Sequence, residues 1–340
     1  MVEFGHCTIA APLQSPRLAR EDEDLGFDVR YFGDNHSQHP EPMMELLDAA
    51  RATTRIRLGT GVANTVSRHP SVLASQMAYL QLASKGRAVL GIGKGDSVVA
   101  MIGKQPQKHA EFVTNTTLLR GYLNREQGAL GQYDAGLKWL EGTDYTPVPI
   151  EIAASGPRTL HAAAALADRI QLTVGGPTER IRSAMDTINE GLAAAGRSRA
   201  DIKIGALIPL IVDPSRAAAA ERLRTGVAVI AHMSALPGID LNTQPERLRA
   251  VTTKLREAYN YRHHNMEQVN PMRDLVDAEF ADWYGIGGPP EYIVDRMAAL
   301  VEMGIEFFFL GTIPLDEREV LAHKVMPVIR KMTPKMTPSR

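Results

Sequence analysis

The sequence predicts a (β/α)8 TIM barrel, a closed ring of parallel strands with helices between them. Short runs rich in Val, Ile and Phe alternate with longer segments in which apolar residues recur every three or four positions, the pattern of repeated βαβ units. There are eight such runs, the strand number of a closed barrel. The length of 340 residues fits one barrel domain that carries an insertion.

The elements follow in chain order. The predicted strands are Phe4–Ala10, Val29–Gly33, Ile56–Val62, Ala88–Ile92, Ile150–Ala154, Arg169–Val174, Ile202–Val212 and Glu306–Gly311. The predicted helices are Pro42–Ala52, Pro70–Ser84, Thr159–Ala167, Thr178–Ala195 and Pro290–Met303. Residues 213–288 are too long for one connection, and we expect an insertion between strands seven and eight that covers the active-site face. We expect one domain over residues 1–330 and a frayed tail over 331–340.

Composition and charge exclude several classes of partner. The net charge of -1, from 38 Lys plus Arg and 39 Asp plus Glu, gives no field that would gather nucleic acid or anionic lipid. A single cysteine, Cys7, excludes an intrachain disulfide and fits a small core residue, and no Cys/His cluster has zinc-ligand spacing. The chain shows neither a leader-like segment nor a long apolar run, so we expect a cytoplasmic protein without a metal whose ligands are small molecules.

Two loops that follow predicted strands contain unusual residues. In a barrel, the loops after the strands build the active site. The segment LGTGVAN (58–64) places glycines at a strand end, where a bulge, an ordinary turn or close approach of a flat ligand would need them. The segment LGIGKGDS (90–97) fits neither the dinucleotide nor the phosphate-loop template. Its carboxylate, Asp96, fits an acid, a base or a helix N-cap, and the residues alone favour the cap.

Two further strand ends consist of small residues. Ala154-Ser155-Gly156 and Gly175-Gly176 each lead into a predicted helix, and exposed amides at a helix start bind anions. Arg158 and Arg180 fall in the following first turns and fit either phosphate ligands or solvated helix residues. A phosphorylated cofactor is therefore expected at these turns.

At three places the chain resembles the luciferase-like superfamily of flavin and F420 oxidoreductases, especially its methylenetetrahydromethanopterin reductase branch. The segment GTGVANTVSRHP (59–70), followed by GRAVLGIGKGDS (86–97), resembles the family's signature across strands three and four. PIEIAASGPRTL (149–160) is similar to its strand-five signature, and YGIGGPPEYIVDRMAALVEMGIEFFFLG (284–311) to its C-terminal repeat. Ala63 and Val66 replace residues common in the methanopterin enzyme, which disfavours that substrate.

The resemblance implies a site and a chemistry. It implies a cis peptide bond at Gly61-Val62 beneath the middle ring of the cofactor, and Asp96, Asp34 and His36 as catalytic candidates. Many F420 reductases read Asp-His where this chain reads Asp34-Asn35-His36. The implied cofactor-binding residues are Asp34, Gly61, Val62, Asn64, Asp96, Ala154, Ser155, Gly156, Gly175 and Gly176.

Three functions fit the resemblance. The leading one is a monooxygenase that uses reduced FMN, supplied by a partner flavin reductase, and O2 on a small organic substrate. The second is an F420-dependent oxidoreductase that transfers hydride without oxygen, and the third is a non-catalytic flavin-binding or accessory subunit. We also expect a homodimer. Arg68 and His69 fit anchors of the strand-three loop, while the adjacent His263 and His264 would diverge and not share a metal.

Overall fold

A closed parallel barrel forms the centre of the fold. A computed structural model describes residues 1–126, 136–236, 240–264 and 270–334. In these residues the barrel strands follow one another around the ring as β1-β10-β7-β6-β5-β4-β3-β2. Their bounds are β1 Glu3–Ile9, β2 Val29–Gly33, β3 Arg57–Thr60, β4 Ala88–Ile92, β5 Ile150–Ala154, β6 Arg169–Leu172, β7 Lys203–Ile208 and β10 Phe307–Leu310. The predicted barrel is therefore confirmed.

Helices connect the strands. Their bounds are α1 Ser15–Asp24, α2 Pro42–Ala52, α3 Pro70–Ala83, α4 Ser97–Met101, α5 His109–Leu123, α6 Pro157–Leu166, α7 Thr178–Ala194, α8 Arg216–Ala231, α9 Glu246–Ala258, α10 Ala278–Tyr284, α11 Pro290–Glu302, α12 Leu315–Val320 and α13 Met326–Ile329. A π-helical turn, Leu321–Val325, joins the last two. Short 3₁₀ turns lie at Lys138–Leu140, Arg199–Asp201, His232–Ser234, Leu241–Thr243, Tyr261–His263 and Pro271–Leu275.

Proline and polar caps set the starts of the predicted helices. Helix α2 begins at Pro42, and the Glu41 side chain accepts hydrogen bonds from the Met43 and Met44 amides. Helix α3 begins at Pro70, with the His69 side chain as acceptor for the Ser71 amide. Proline costs nothing at these positions, because a first-turn N–H has no partner within the helix. All five predicted helices are confirmed to within two residues at each end.

The prediction of one long strand over Ile202–Val212 is wrong. The run divides at Pro209 into β7 and a separate strand, β8 Leu210–Val212. Proline has no N–H to donate to the barrel ladder, so the chain leaves the barrel at that point. Strand β8 pairs in parallel with β9 Ile286–Gly288, at the end of the long insertion.

Outside the insertion, sequence periodicity did not identify the helices α1, α4, α5, α12 and α13. Helix α1 reads SPRLAREDED, so charged residues dominate its pattern.

The insertion over 213–288 contains α8, α9 and α10 besides β9. Positions 335–340 of the predicted tail lie outside the described residues.

The chain divides into two compact units. The first comprises residues 7–153 and 166–169, and the second comprises residues 1–6, 154–165 and 170–340. Strands β2, β3 and β4 pair within the first unit, for example through Val29 with Arg57. Strands β10 and β7 pair within the second, through Phe307 with Gly205. None of the helices in the described residues has the length and apolar character that a membrane span requires.

Candidate active site

In the first unit, the loop after β2 holds a buried ion pair. The Asp34 carboxylate, whose side chain is 0% exposed, accepts from Arg68 at both oxygens, with Nη1–Oδ2 2.5 Å and Nη2–Oδ1 3.1 Å. Arg68 also donates to Glu41, the cap of α2. Arg68 thus links the loop after β3 to the loop after β2, which confirms the predicted anchoring role.

Electrostatics favours the charged guanidinium in this cluster. Burial lowers the pKa of Arg68, but the hydrogen bonds and charges of Asp34 and Glu41 outweigh burial and raise the pKa above its ordinary value. Bidentate pairing with a carboxylate also fixes the orientation of both groups. Asp34 is therefore held in one position by a partner from another segment.

His36 stands at the outer edge of the same cluster. Its Nδ1 lies 3.9 Å from Asp34 Oδ1, and its side chain is 31% exposed. The structure thus brings together Asp34 and His36, two of the three catalytic candidates. An imidazole beside a carboxylate and open to solvent can exchange protons with an approaching substrate.

The end of β3 forms the expected bulge. The Gly61–Val62 peptide bond is cis, as the resemblance implied. Beyond it, the Ala63 amide donates to Gly91 O at 2.8 Å and rejoins the chain to β4. A Cβ on Gly91 would lie 2.0 Å from Thr60 O, so only glycine permits this close approach of the two strands. Packing between these strands therefore explains Gly91, the first glycine of LGIGKGDS.

Asn64, directly after the bulge, has a buried donor to offer. The residue is 1% exposed, and its Oδ1 accepts from the Val66 and Ser67 amides at 3.0 and 2.9 Å. Its Nδ2 has no hydrogen-bond partner among the described residues. Buried amide groups normally find acceptors, so this one fits a ligand carbonyl.

Asp96 lies where the sequence placed it, but its side chain does not cap the helix. It occupies the N-cap position of α4, with no side-chain cap hydrogen bond. The cap interpretation that the residues alone favoured is therefore wrong for the side chain. Its backbone oxygen accepts from Val99 and Ala100 instead.

Sequence reasoning missed a buried polar network in the first unit. Tyr31 donates to Glu151 Oε2 at 2.9 Å, and Arg169 Nε donates to the same oxygen at 2.7 Å. Burial, followed by the Glu151 charge, raises the pKa of Tyr31 well above its ordinary value. The one available signal was the presence of charged residues inside apolar strand runs, such as Glu in IEIAA.

The second unit holds the two small-residue turns. Ala154 ends β5 and is buried, Ser155 is half-buried, and a Cβ added at Gly156 would meet nothing within 4 Å. This leaves open space at the start of α6. Arg158, in its first turn, is exposed.

The Gly175-Gly176 turn packs against Tyr284. Gly175 has φ +74°, and a Cβ there would lie 2.7 Å from Tyr284 Cε1. The Gly176 amide donates to Tyr284 O at 2.8 Å, so it is not one of the free amides that the turn was expected to offer. The Tyr284 hydroxyl, however, is buried and has no hydrogen-bond partner among the described residues. It offers a donor or acceptor next to this turn.

Arg180 ties the second turn to the insertion. It donates to Val174 O at 2.5 Å and to Ser234 Oγ at 3.1 Å, with its guanidinium 5.5 Å from the Tyr284 ring centroid. These hydrogen bonds fix the position of the Arg180 side chain and connect the end of β6 to the insertion. Arg180 is therefore not a solvated helix residue, which was one of the two roles that the sequence left open for it.

The insertion contributes a cluster of stacked rings. His232 stacks on Tyr259 at 3.6 Å between centroids, and its Nε2 lies 3.2 Å from the Tyr261 hydroxyl. The Tyr259 hydroxyl lies 2.5 Å from His264 Nδ1. His264, and not its neighbour His263, is therefore the partner of Tyr259. Within the described ranges, no three His, Cys, Asp or Glu side chains are arranged to hold a metal ion.

The similarity to known proteins spans nearly the whole chain. Residues 9–306 match the model of the luciferase-like monooxygenase family. The chain belongs to that family. It is 29% identical over 297 residues to a 5,10-methylenetetrahydromethanopterin reductase of Archaeoglobus fulgidus, covering 85% of this chain and 86% of the relative.

Two further proteins to which this chain is similar are F420-dependent dehydrogenases. An F420-dependent glucose-6-phosphate dehydrogenase of Beutenbergia cavernae is 26% identical over 91% of this chain and 90% of its own length. The structure of an F420-dependent secondary alcohol dehydrogenase, in complex with an F420-acetone adduct, superimposes with a TM-score of 0.76 at 19% identity, covering 97% of this chain and 99% of that one. The suspected superfamily and the enzyme class are confirmed, and this protein is a luciferase-like oxidoreductase.

Proposed function

We propose that this protein is an F420-dependent oxidoreductase that transfers a hydride to or from a carbon atom of a small organic substrate. The supporting observation is its similarity, over 85 and 91% of the chain, to a methylenetetrahydromethanopterin reductase and an F420-dependent glucose-6-phosphate dehydrogenase. Ala63 and Val66 disfavour a methanopterin substrate. The substrate class we expect is a small alcohol or carbonyl compound.

The residues present fit a flavin-type ring. In the first unit, the unpaired Nδ2 of buried Asn64 would donate to a ring carbonyl, beside the Gly61–Val62 bulge that the family uses under its cofactor. Asp34 and Asp96 complete the proposed ring-side residues. In the second unit, Ala154, Ser155, Gly156, Gly175 and Gly176 would bind the ribityl chain and phosphate, and the Tyr284 hydroxyl adds a buried group beside them.

The chain supplies positioning and proton handling. When bound, the deazaflavin supplies or accepts the hydride at its C5 atom. The Arg68–Asp34 pair holds the loop after β2 in place, which keeps His36 at 3.9 Å from the carboxylate. We propose that His36 holds the proton exchanged with the substrate oxygen, because its imidazole is partly exposed and its Nδ1 lies beside the Asp34 carboxylate.

A second candidate is a monooxygenase that uses reduced FMN and O2, supplied by a separate flavin reductase. The matching family is itself described as luciferase-like monooxygenase. The two candidates make different demands on oxygen, since only the monooxygenase consumes it.

One experiment separates them. The purified protein is titrated with F420 and with FMN, and binding is followed by the change in cofactor fluorescence. Each complex is then offered a panel of alcohols and carbonyl compounds without oxygen, and F420 absorbance is recorded. Tight F420 binding with anaerobic turnover supports the proposal. Binding of reduced FMN with substrate-dependent oxygen uptake, and no F420 binding, would establish the second candidate instead.

We further propose a homodimer formed through α2 and α3. These helices border a groove of about 890 Å³ whose lining includes Met44, Val72, Tyr79 and Trp139. Their exposures are 72, 49, 53 and 43%, an unusually apolar surface for a monomer. Light scattering should show a dimer for the native chain and a monomer for Val72→Arg. Val328→Arg, on the exposed face of α13, is the control and should remain dimeric.

A further inference from the structure

Three arginines converge on a pocket in the second unit. The pocket, of about 360 Å³, starts at Gly176 and is lined by Arg216, Arg247 and Arg296. Its size lies at the lower end of ordinary ligand sites. Gly176 is a proposed phosphate-side residue, and a Cβ on it would lie 3.7 Å from Arg296 Nη2. The pocket therefore begins where the proposed phosphate site ends.

Aromatic rings hold these arginines in place. Arg216 lies 4.1 Å from the Tyr292 ring centroid, and Arg247 lies 5.2 Å from that of Trp283. Arg296 Nη1 donates to the Tyr292 hydroxyl at 2.8 Å. Rings that fix a guanidinium lower the entropy lost when it binds a ligand.

Carboxylates form ion pairs with two of these three arginines. Asp282 pairs with Arg216 at 2.8 Å and Glu279 with Arg247 at 3.0 Å. Within the described parts of the chain, Arg296 forms no ion pair with a carboxylate. Glu179 also lines the pocket, so the side-chain charges of its walls balance.

The N-terminal ends of helices make the electrostatic potential in the pocket positive. Four helices of at least 13 residues place a first-turn residue in the pocket wall, namely α7 with Thr178, α8 with Arg216, α9 with Arg247 and α11 with Tyr292. Each helix start carries roughly half a positive charge. No side chain caps α7, α9 or α11. With the walls otherwise neutral, the pocket favours an anion.

We propose that this pocket binds the carboxylate tail that F420 carries beyond its phosphate, and that it thereby selects F420 over FMN. The inference rests on the proposed function. F420 continues from its phosphate through a lactyl group into a chain of glutamates, whereas FMN ends at the phosphate. Arginine donors suit carboxylates, because guanidinium groups bind them through two parallel hydrogen bonds.

The test compares three ligands on four proteins and on one further variant, Arg296→Lys. The ligands are F420 with its glutamates, the F420 precursor that ends at the lactyl group, and FMN. The proteins are the native chain, Arg296→Gln, Arg247→Gln and Arg182→Gln, where Arg182 is an exposed residue of α7 outside the pocket. Dissociation constants come from cofactor fluorescence, and circular dichroism confirms that each variant is folded.

The native protein should bind glutamylated F420 about 10-fold more tightly than the precursor. Arg296→Gln and Arg247→Gln should each remove about 5- to 10-fold of the affinity for the glutamylated form, less for the precursor, which ends in a single lactyl carboxylate, and none for FMN, as expected for partly exposed charge-assisted bonds. Arg182→Gln should match the native chain. Arg296→Lys should restore part of the preference, because it keeps the charge.

Two results would overturn the inference alone. They are equal native affinities for the two F420 forms, and an equal loss for all three ligands in Arg296→Gln, which would place the cofactor phosphate itself in the pocket. Failure of the native chain to bind either F420 form would overturn the proposed function together with the inference.

Discussion

Removing Arg68 should destabilise the fold far more than removing its partner Asp34. Arg68→Gln leaves a carboxylate that is 0% exposed without its counterion, a change that costs about 3 to 5 kcal/mol of unfolding free energy in buried pairs. Asp34→Asn leaves Arg68 still bonded to Glu41, so its cost should be smaller, about 1 to 3 kcal/mol. The double variant should lose less than the sum, because neither charge is then left alone.

Urea unfolding followed by circular dichroism measures all three free energies. Arg51→Gln is the matched control, because its ion pair with Asp48 is exposed at 65 and 48% and should contribute almost nothing. If Arg68→Gln is no less stable than Arg51→Gln, or if the two single losses simply add, then the pair is not the buried, coupled unit described above. Cofactor titration of Asp34→Asn then tests the proposed contact separately from stability.

Substitutions at two positions test the site, and the reactivity of Cys7 tests the packing around β1. Gly176→Asp should weaken cofactor binding by more than about 100-fold, since it places a carboxylate beside the phosphate, whereas Gly176→Ala should bind nearly normally because its Cβ has no neighbour closer than 3.5 Å. Asn64→Asp keeps the acceptor for the Val66 and Ser67 amides but replaces the buried donor with a carboxylate oxygen, so cofactor affinity, measured well below the melting temperature, should fall about 5- to 100-fold. Cys7 should resist alkylation near pH 8, because burial raises its pKa from 9.0 to about 12 and lowers the thiolate fraction about 1000-fold.

Each of these three predictions has a decisive contrary outcome. Undiminished binding by Gly176→Asp would remove this turn from the site. Undiminished cofactor affinity of folded Asn64→Asp would show that the Nδ2 group does not contact the ligand. Alkylation of folded Cys7 at the rate of a free thiol would show that its surroundings do not suppress the thiolate.

Local sequence pattern was sufficient for the barrel. Apolar runs bounded by turn residues gave the strands, and helical spacing with proline at the first turn gave helices such as α2 and α11, since both signals depend on neighbours in the chain. The pattern was insufficient where a local rule competed with it. Pro209 ended a strand inside an apolar run, and the charges of α1 hid a helix.

The candidate site likewise has residues that the sequence indicated and contacts that only the structure showed. The sequence by itself indicated Asp96 and the glycine turns as candidates, because the active-site residues of barrels follow strand ends, and the resemblance to the family added Asp34 and Asn64. Only the tertiary structure showed that Arg68 binds Asp34 from 34 residues away, that Glu151 joins Tyr31 across 120 residues, and that Arg296 lies beside Gly176. Such partners come from distant segments that a ring of strands brings together, and no local pattern records which of many charged residues will meet.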